Sequence, residues 1–285
     1  MNLAPIKTHI FGRTGREVTC VGLGGEGVLR TNNRTAEARQ VIQAAIAEGI
    51  TYFDCAHVYA DSELYYGSVW QEQSRLRSQI FQASKSASRD KSGARADLDR
   101  TLKRMKTDYL DLWQIHDVRT MADLDKIAGP GGALETFIEA RSSGLVRHIG
   151  VTGHHDPQIL SRAVKEWPVD AVMMPVNPVE GALGGFLTTT LPAAIQKGVA
   201  VIAMKILGAS HYIIPELDIT PDRLIRYALS FDIAVAIVGC SSPQEVKILA
   251  ETGREATPFS EKEISEIEDI FSPHTRRLAF YRGVI

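Results

Sequence analysis

TYFDCAHVYADSE, residues 51–63, is the stretch from which the rest of this chain is best interpreted. A short β-type run at 50–53 stops at a carboxylate, Asp54, and five residues later Tyr59 stands in a loop just before a predicted helix. In a parallel α/β protein the strand interiors are packed, so polar groups at the C-terminal ends of the strands line the ligand site. We therefore expect Asp54 and Tyr59 to share a pocket.

The same strand-then-helix unit recurs along the chain. Short apolar runs typical of buried parallel strands lie at 80–83, 109–115, 147–151, 171–174, 199–204 and 233–238. Helical spacing predicts helices at 36–48, 62–73, 94–105, 133–143, 157–167, 187–197, 221–230 and 243–252. With the strands at 19–23 and 50–53 there are eight strands, and eight alternations in 285 residues favour a closed (β/α)8 TIM barrel over an open doubly wound sheet.

The two ends of the chain carry further elements. A hairpin at 9–18, turning at 13–15, is expected to cover the bottom of the barrel. The glycine-rich run 22–27 leads into a polar loop rather than directly into a helix, so we interpret it as a pocket-lining turn, and Thr35 as the N-cap of the next helix. A capped acidic helix at 260–271 precedes a basic, aromatic tail at 276–281 that is expected to close over one face. With no linker or internal repeat, residues 1–285 are predicted to form a single domain.

Composition limits the classes of partner. A net charge of −2 provides no broad field for nucleic acid or an anionic membrane. The sequence has no signal-peptide pattern and no apolar run of membrane-spanning length, so a soluble, cytoplasmic protein is expected. The three cysteines, Cys20, Cys55 and Cys240, are widely spaced and odd in number, which argues against a disulfide framework or a zinc motif, and no metal site is predicted.

Four polar residues lie at or just beyond successive strand ends, namely Asp54, Tyr59, Lys85 and His116. A phenol with a pKa of about 10 is a poor proton donor at neutral pH, but an adjacent ammonium stabilises the phenolate and lowers that pKa. Lys85, held by Asp54, would make Tyr59 a plausible general acid, and His116 would orient a substrate carbonyl. Each residue alone has an ordinary structural interpretation; their joint placement favours catalysis.

These residues give the sequence a specific resemblance. Phe53, Asp54, Cys55 and Ala56, followed by Tyr59, Glu63 and Gly67, resemble the signature of the aldo-keto reductase family, as do Ser84-Lys85 and the run 108–116, DYLDLWQIH. The resemblance covers nearly the whole chain. It implies that Tyr59 is the proton donor, that Lys85 and Asp54 tune it, that His116 orients the carbonyl, and that NAD(P)H is the hydride source.

The resemblance also implies a set of cofactor-binding residues: Gly25, Glu26, Thr152, Gly153, Met173, Met204, Lys205, Ile206, Leu207, Gly208, Gly239, Cys240, Ser241, Ser242 and Glu245. Three of them depart from the family pattern. Gly153 lacks the amide side chain usual after the hydroxyl residue, Met173 replaces a glutamine, and Met204 replaces the aromatic residue that stacks on nicotinamide. Fewer polar groups are therefore available to hold the carboxamide.

The run 238–243, VGCSSP, resembles the loop that receives the cofactor phosphate, although an ordinary Ser-Pro helix cap explains the segment equally well. Gly239 and Glu245 stand where NADP-preferring relatives often carry lysine and arginine. A carboxylate there repels a 2′-phosphate and accepts hydrogen bonds from a ribose diol, which favours NAD over NADP. Lys205 offers a positive charge for a phosphate contact, so the sequence leaves both NAD and NADP possible.

The leading interpretation is an NAD(P)-dependent oxidoreductase that transfers a hydride between nicotinamide and a small-molecule carbonyl or alcohol, whether aldehyde, ketone or sugar. The alternatives are a nicotinamide-binding redox sensor without useful catalysis and an aldolase-type barrel with Lys85 or Lys205 as Schiff-base amine. The loops 117–132 and 177–185, together with Phe280, His154 and His155, are expected to shape the substrate pocket. The resemblance implies a monomer or small homo-oligomer.

Overall fold

Eight parallel strands close into a barrel, which confirms the (β/α)8 prediction. The computed structural model describes residues 4–283, so residues 1–3 and 284–285 of the predicted 1–285 domain lie outside the described part. The strands within 4–283 are β1 (Thr8–Ile10), β2 (Glu17–Thr19), β3 (Val21–Gly27), β4 (Tyr52–Phe53), β5 (Phe81–Ser86), β6 (Leu110–Ile115), β7 (Val146–Thr152), β8 (Ala171–Pro175), β9 (Ala200–Met204) and β10 (Val235–Cys240). Each strand from β3 to β10 pairs with the next, and β10 pairs with β3.

Helices cover the outside of this barrel. They are α1 (Thr35–Ala47), α2 (Ser62–Trp70), α3 (Ser74–Arg77), α4 (Lys91–Met105), α5 (Met121–Ala128), α6 (Ala133–Ser142), α7 (Pro157–Glu166), α8 (Pro178–Leu183), α9 (Leu191–Gln196), α10 (Pro221–Leu229), α11 (Pro243–Glu255), α12 (Glu261–Phe271) and α13 (Thr275–Leu278). Over the residues described, none of these helices combines the length and the apolar character needed to span a bilayer.

Several local predictions were wrong. The glycine-rich run belongs to β3, which continues to Gly27, because its glycines allow β3 and β10 to approach: a Cβ on Gly24 would lie 2.9 Å from the backbone nitrogen of Gly239. Thr35 is the first helical residue, and the N-cap is Arg34, which makes no side-chain cap bond. The loops predicted at 117–132 and 177–185 contain α5 and α8.

The N-terminal hairpin covers the bottom of the barrel, as the sequence predicted. β1 and β2 pair antiparallel, and the turn between them inserts Phe11, which is fully buried. The Phe11 ring centroid lies 4.7 Å from that of Phe81 and 6.1 Å from that of Tyr52, two residues that begin barrel strands. Arg13 also donates its backbone N–H to the Gly198 carbonyl at 2.8 Å. The hairpin therefore closes the N-terminal end, and the C-terminal end remains for a site.

The C-terminal tail lies across the other end of the barrel. Helix α12 begins with a capping box between Ser260 and Glu263, and after α13 the chain forms a turn at Phe280–Arg282. The Tyr281 hydroxyl donates to Glu180 of α8 at 2.7 Å, and Arg282 forms an ion pair with the same carboxylate. The tail is thus anchored beside the strand ends that carry the candidate site.

We predict that Phe11→Ala lowers the free energy of unfolding by about 3–5 kcal/mol, because it removes a fully buried aromatic ring from a packed cluster. Chemical denaturation followed by circular dichroism measures the loss. The matched control is Ile10→Ala, an apolar deletion next to it at a side chain that is 54% exposed, which should change stability by less than about 0.5 kcal/mol. Equal losses from the two variants would contradict the assigned role of the hairpin.

Candidate active site

A buried ion pair joins the ends of two neighbouring strands. Asp54 directly follows β4, and Lys85 is the fifth residue of β5, which ends at Ser86, three residues beyond the end of the predicted strand at Ala83. Lys85 Nζ donates to Asp54 Oδ2 at 2.5 Å and to the Cys55 carbonyl at 2.7 Å, and both charged residues are 1% exposed. An ammonium has three N–H donors, so one remains for a third partner.

Charge and burial act in opposite directions on this pair. Burial raises the pKa of Asp54, and the Lys85 ammonium offsets part of that rise. For Lys85 burial lowers the pKa, but the charge and hydrogen bond of Asp54, together with the nearby Tyr59 hydroxyl, raise it by more, so the pKa of the amine lies above its usual value. Lys85 therefore carries its positive charge at neutral pH.

Tyr59 lies over this pair, in the loop between β4 and α2. Its ring centroid lies 4.9 Å from Lys85 Nζ, and it makes an edge contact with the His116 ring at a centroid separation of 5.6 Å. On the β3 side, a Cβ on Gly25 would come within 2.8 Å of the Tyr59 ring, so a glycine is needed for this close approach. The structure thus brings together the four residues that the sequence selected as catalytic.

The net pKa of Tyr59 differs from the expectation. Burial raises the pKa of the phenol; Lys85 lowers it, but by less, so the net shift is upward. The expected direction of the lysine effect holds, whereas the expected net decrease was wrong because burial could not be weighed from sequence. A phenol that stays protonated at neutral pH can still donate a proton, and the nearby ammonium stabilises the phenolate left behind.

His116 follows β6 and is held as a neutral ring. Burial, together with the Lys85 charge, lowers the pKa of the imidazole to about 3. Its Nδ1 is buried and has no hydrogen-bond partner within residues 4–283. A neutral imidazole carries one N–H, which suits a hydrogen bond to a substrate oxygen.

Arg30 is a neighbour of the phenol that the sequence analysis missed. Its guanidinium carbon lies 4.7 Å from the Tyr59 ring centroid, and Nη1 donates to Glu26 at 2.6 Å. Glu26, which was predicted to bind cofactor, therefore anchors a second cation over the phenol. The four-residue spacing of Glu26 and Arg30 was the sequence signal for this ion pair. It was overlooked because the glycine-rich run 22–27 was interpreted as a turn.

The residues predicted to hold the carboxamide have structural partners of their own. Thr152 is buried, and its hydroxyl accepts from the backbone N–H of Asp117 at 2.8 Å. A Cβ on Gly153 would lie 2.9 Å from the Val118 carbonyl, so close packing explains why no amide side chain is present. Met173 is 2% exposed and packs in the barrel interior, with the partly buried Met204 against the same cluster.

The segment after β9 makes a strained turn. Lys205 has φ 59° and Gly208 has φ 53°, both in the left-handed region, and a Cβ on Gly208 would overlap the Tyr212 ring. Asn177 donates from Nδ2 to the Lys205 carbonyl at 3.1 Å. Burial lowers the pKa of Lys205. Ile206 is buried, and Leu207 packs partly buried against the core.

The predicted phosphate loop lies at the N-terminus of α11. Ser242 is the N-cap and accepts from the Glu245 N–H at 3.3 Å, while the Glu245 carboxylate accepts from the Ser241 N–H at 2.7 Å. A carboxylate therefore holds one N–H that a phosphate would use. Gly239 allows close contact between β10 and Glu26, and burial raises the pKa of Cys240 to about 12.

Comparison with known proteins gives concordant matches. The sequence model of the Aldo/keto reductase family matches residues 20–212. L-galactose dehydrogenase from Arabidopsis thaliana is 26% identical over 324 aligned positions, covering 99% of each chain. 6-dehydroglucose reductase from Novosphingobium aromaticivorans is 29% identical over 164 positions, covering 52% of this chain and 52% of that one.

Solved structures match the fold over nearly the whole chain. The holo form of an aldo-keto reductase from Bacillus halodurans gives a TM-score of 0.72 at 22% identity, covering 98% of both chains. An aldo-keto reductase from Klebsiella pneumoniae in complex with NADPH gives a TM-score of 0.73 at 20% identity, covering 96% of this chain and 98% of that chain. At these identities the structural matches establish the fold alone.

We predict that Lys85→Met lowers the free energy of unfolding by about 3–5 kcal/mol, because it leaves the Asp54 carboxylate buried without its partner. The Asp54→Asn, Lys85→Met double variant should lose less than the sum of the single losses, by about 0.5–3 kcal/mol. Urea denaturation measures all three variants.

Lys91→Met is the matched control for this cycle. Lys91 is likewise paired with carboxylates, those of Glu135 and Glu139, but its side chain is 44% exposed, so its replacement should change stability little. A Lys85→Met variant as stable as Lys91→Met would show that the buried pair does not hold the strand ends together.

Proposed function

The chain belongs to the aldo/keto reductase family, and we propose that it transfers a hydride between a nicotinamide cofactor and an aldehyde, ketone or sugar carbonyl, with Tyr59 as general acid and base. It is an NAD(P)-dependent oxidoreductase. The observation that carries the proposed chemistry is the buried Asp54–Lys85 pair directly beneath the Tyr59 ring.

In the proposed reduction, the Tyr59 hydroxyl gives its proton to the carbonyl oxygen as the carbon gains hydride. The cofactor supplies that hydride when it is bound. Loss of the proton leaves a phenolate on Tyr59, and the Lys85 ammonium, whose charge Asp54 secures, stabilises it. In the alcohol-to-carbonyl direction the same phenolate takes the proton back.

His116 is proposed to fix the carbonyl oxygen relative to Tyr59. The two rings are in edge contact, so one substrate oxygen can accept from both the phenol and the neutral imidazole. The Nδ1 of His116, which has no hydrogen-bond partner among the described residues, supports this role, because a buried polar atom without a partner is costly unless a ligand satisfies it.

The residues at the ends of β3, β7, β9 and β10 are proposed to hold the dinucleotide. The N-terminus of α11 is proposed to receive a phosphate, since the N-terminus of a helix favours an anion, although the Ser241 N–H must first be released by Glu245. Met204 and Thr152 are proposed to face the nicotinamide ring and its carboxamide, with Lys205 near the phosphates. Contacts within the chain already hold two of these side chains in place: the Thr152 hydroxyl accepts the Asp117 N–H, and Met204 packs against the barrel interior.

The choice between NAD and NADP is proposed to depend on Glu245. Its carboxylate already accepts the Ser241 N–H, and its charge disfavours a 2′-phosphate beside it, which leans towards NAD. The structurally similar Klebsiella pneumoniae protein was solved with NADPH, so both cofactors should be tested. The names of the Arabidopsis and Novosphingobium relatives make sugars a first substrate class to screen.

The alternative functions receive less support. A Schiff base at Lys85 needs an uncharged amine, whereas this amine is buried against a carboxylate and its pKa is raised. A redox sensor would bind cofactor but would leave it unoxidised when mixed with carbonyl compounds, so the following experiment separates sensor from enzyme.

We predict that Tyr59→Phe retains cofactor binding and lowers turnover by about 10²–10⁴-fold, because it removes the proton donor. NADH and NADPH oxidation is followed with a panel of aldehydes, ketones and aldoses, and cofactor affinity is measured by fluorescence titration. Tyr109→Phe is the matched control. Like Tyr59, Tyr109 is partly exposed and lies under cationic groups, the guanidiniums of Arg77 and Arg147, which are 4.1 and 4.2 Å from its ring centroid. Unlike Tyr59, it precedes β6, at the other end of the barrel. Undiminished turnover in Tyr59→Phe would refute the role of the phenol.

We predict that Glu245→Gln tightens NADPH binding by about 5-fold or more relative to NADH, because one negative charge near a 2′-phosphate costs about 1 kcal/mol or more. Dissociation constants for both cofactors measure the ratio. Glu251→Gln, on the same helix and paired with Lys247, is the matched control and should leave the ratio unchanged. An unchanged ratio in Glu245→Gln would remove the proposed basis for cofactor choice.

A further inference from the structure

A second polar cluster lies beside the active site, in the loops after β6 and β7. Asp117 directly follows His116, and His154 and His155 follow Gly153. One ligand atom from each of Asp117, His154 and His155 lies within 4.8 Å of the others. All three residues are partly buried, with side chains about one-fifth exposed.

The hydrogen bonds of the two histidines fix where their remaining nitrogens point. His154 Nδ1 lies 2.7 Å from the Tyr281 carbonyl and His155 Nδ1 lies 3.3 Å from the Arg282 carbonyl. A carbonyl oxygen only accepts, so both rings must donate from Nδ1. Each ring then turns its Nε2 towards the same atom, Asp117 Oδ1.

That convergence lacks the hydrogen bonds that would explain it. His154 Nε2 and His155 Nε2 lie 3.3 and 3.5 Å from Asp117 Oδ1. Yet Oδ1 and His155 Nε2 are both buried atoms without a hydrogen-bond partner within residues 4–283. In a ring that donates from Nδ1, neutral Nε2 carries a lone pair, so electron pairs from two nitrogens and one oxygen face one another, and a cation bound between them would make the arrangement favourable.

Two of the three ligand–ligand separations match those of a tetrahedral metal ion, and the third is within 4.8 Å. Nitrogen and oxygen ligands bind Zn²⁺ at about 2.0–2.1 Å, so two ligands of one tetrahedral ion lie roughly 3.3–3.4 Å apart. The two Nε2–Oδ1 separations, 3.3 and 3.5 Å, are close to that ligand–ligand distance. In such a site each nitrogen lone pair points at the ion rather than at the carboxylate oxygen, which agrees with the missing direct hydrogen bonds.

The surroundings hold the three groups in place. Asp117 has φ 56°, in the left-handed region that disfavours a side chain, and its backbone N–H is fixed by Thr152. Arg119 binds the other carboxylate oxygen, Oδ2, from Nε at 2.8 Å, which leaves Oδ1 free. A histidine that binds a metal commonly donates its second ring N–H to a backbone carbonyl, as both do here.

A contrasting cluster shows that this pattern is not general in the chain. His57 lies 3.3 Å from Glu63 and 3.7 Å from Asp97. There Glu63 accepts from Ser84 and Thr101, and Asp97 accepts from two further serines and an arginine, so the carboxylates are satisfied by protein donors.

We propose that Asp117, His154 and His155 form a binding site for a divalent transition-metal ion, with Zn²⁺ the best match to two imidazoles and one carboxylate. Three protein ligands leave at least one coordination position open to water or to an oxygen of a small molecule. The ion would lie next to His116 at the mouth of the barrel, under the C-terminal tail that supplies the two carbonyls.

The test uses the full chain after removal of metal with EDTA. Isothermal titration with Zn²⁺ should show one bound equivalent, and His155→Ala should weaken binding by at least tenfold. His274→Ala, which removes an exposed histidine elsewhere, should bind like the unmodified protein. Circular dichroism checks that each variant is folded.

A second measurement does not depend on any variant. One equivalent of Co²⁺ added to the metal-free protein should give the visible absorption bands of a low-symmetry site with nitrogen ligands, and Zn²⁺ should displace it. A protein that takes up neither ion, as expected if two protonated imidazoles simply pair with Asp117, would overturn the proposal. Equal affinities of His155→Ala and His274→Ala would overturn it as well.

Discussion

A charged pair taken out of water, Asp54 with Lys85, determines how the C-terminal end of the barrel is built. Neither ion is tolerated alone at 1% exposure, so β4 and β5 must end side by side with their last polar groups in contact. The hairpin seals the opposite end of the barrel, which leaves the pair as the floor of the C-terminal end. Tyr59, in the next loop, therefore lies where a cation can stabilise its phenolate.

The sequence alone was sufficient for the barrel and for the group of four. Buried parallel strands are short apolar runs, and each strand was located to within a few residues, because that pattern is set by burial on both faces. Polar residues that end consecutive strands must meet, so the proximity of Asp54, Tyr59, Lys85 and His116 followed from the fold class.

Other features depend on balances that a sequence does not display. The pKa of Tyr59 depends on the balance between burial, which raises it, and the Lys85 charge, which lowers it. The extent of burial is a property of the folded chain. Gly153 could be seen to lack an amide, but its packing against the Val118 carbonyl could not. The meeting of Asp117 with His154 and His155 needed two loops whose conformations hydrophobic periodicity does not specify.

Whether Lys85 acts on the reaction through Tyr59 can be tested by a kinetic double-mutant cycle. Single-turnover rates of hydride transfer, followed by stopped-flow nicotinamide absorbance with saturating carbonyl substrate, are compared for the unmodified protein, Tyr59→Phe, Lys85→Met and the double variant. We predict that the Lys85 effect largely disappears once the phenol is gone, so that the double variant reacts at nearly the Tyr59→Phe rate. Losses that simply multiply would contradict it, since the ammonium would then act independently of the phenol.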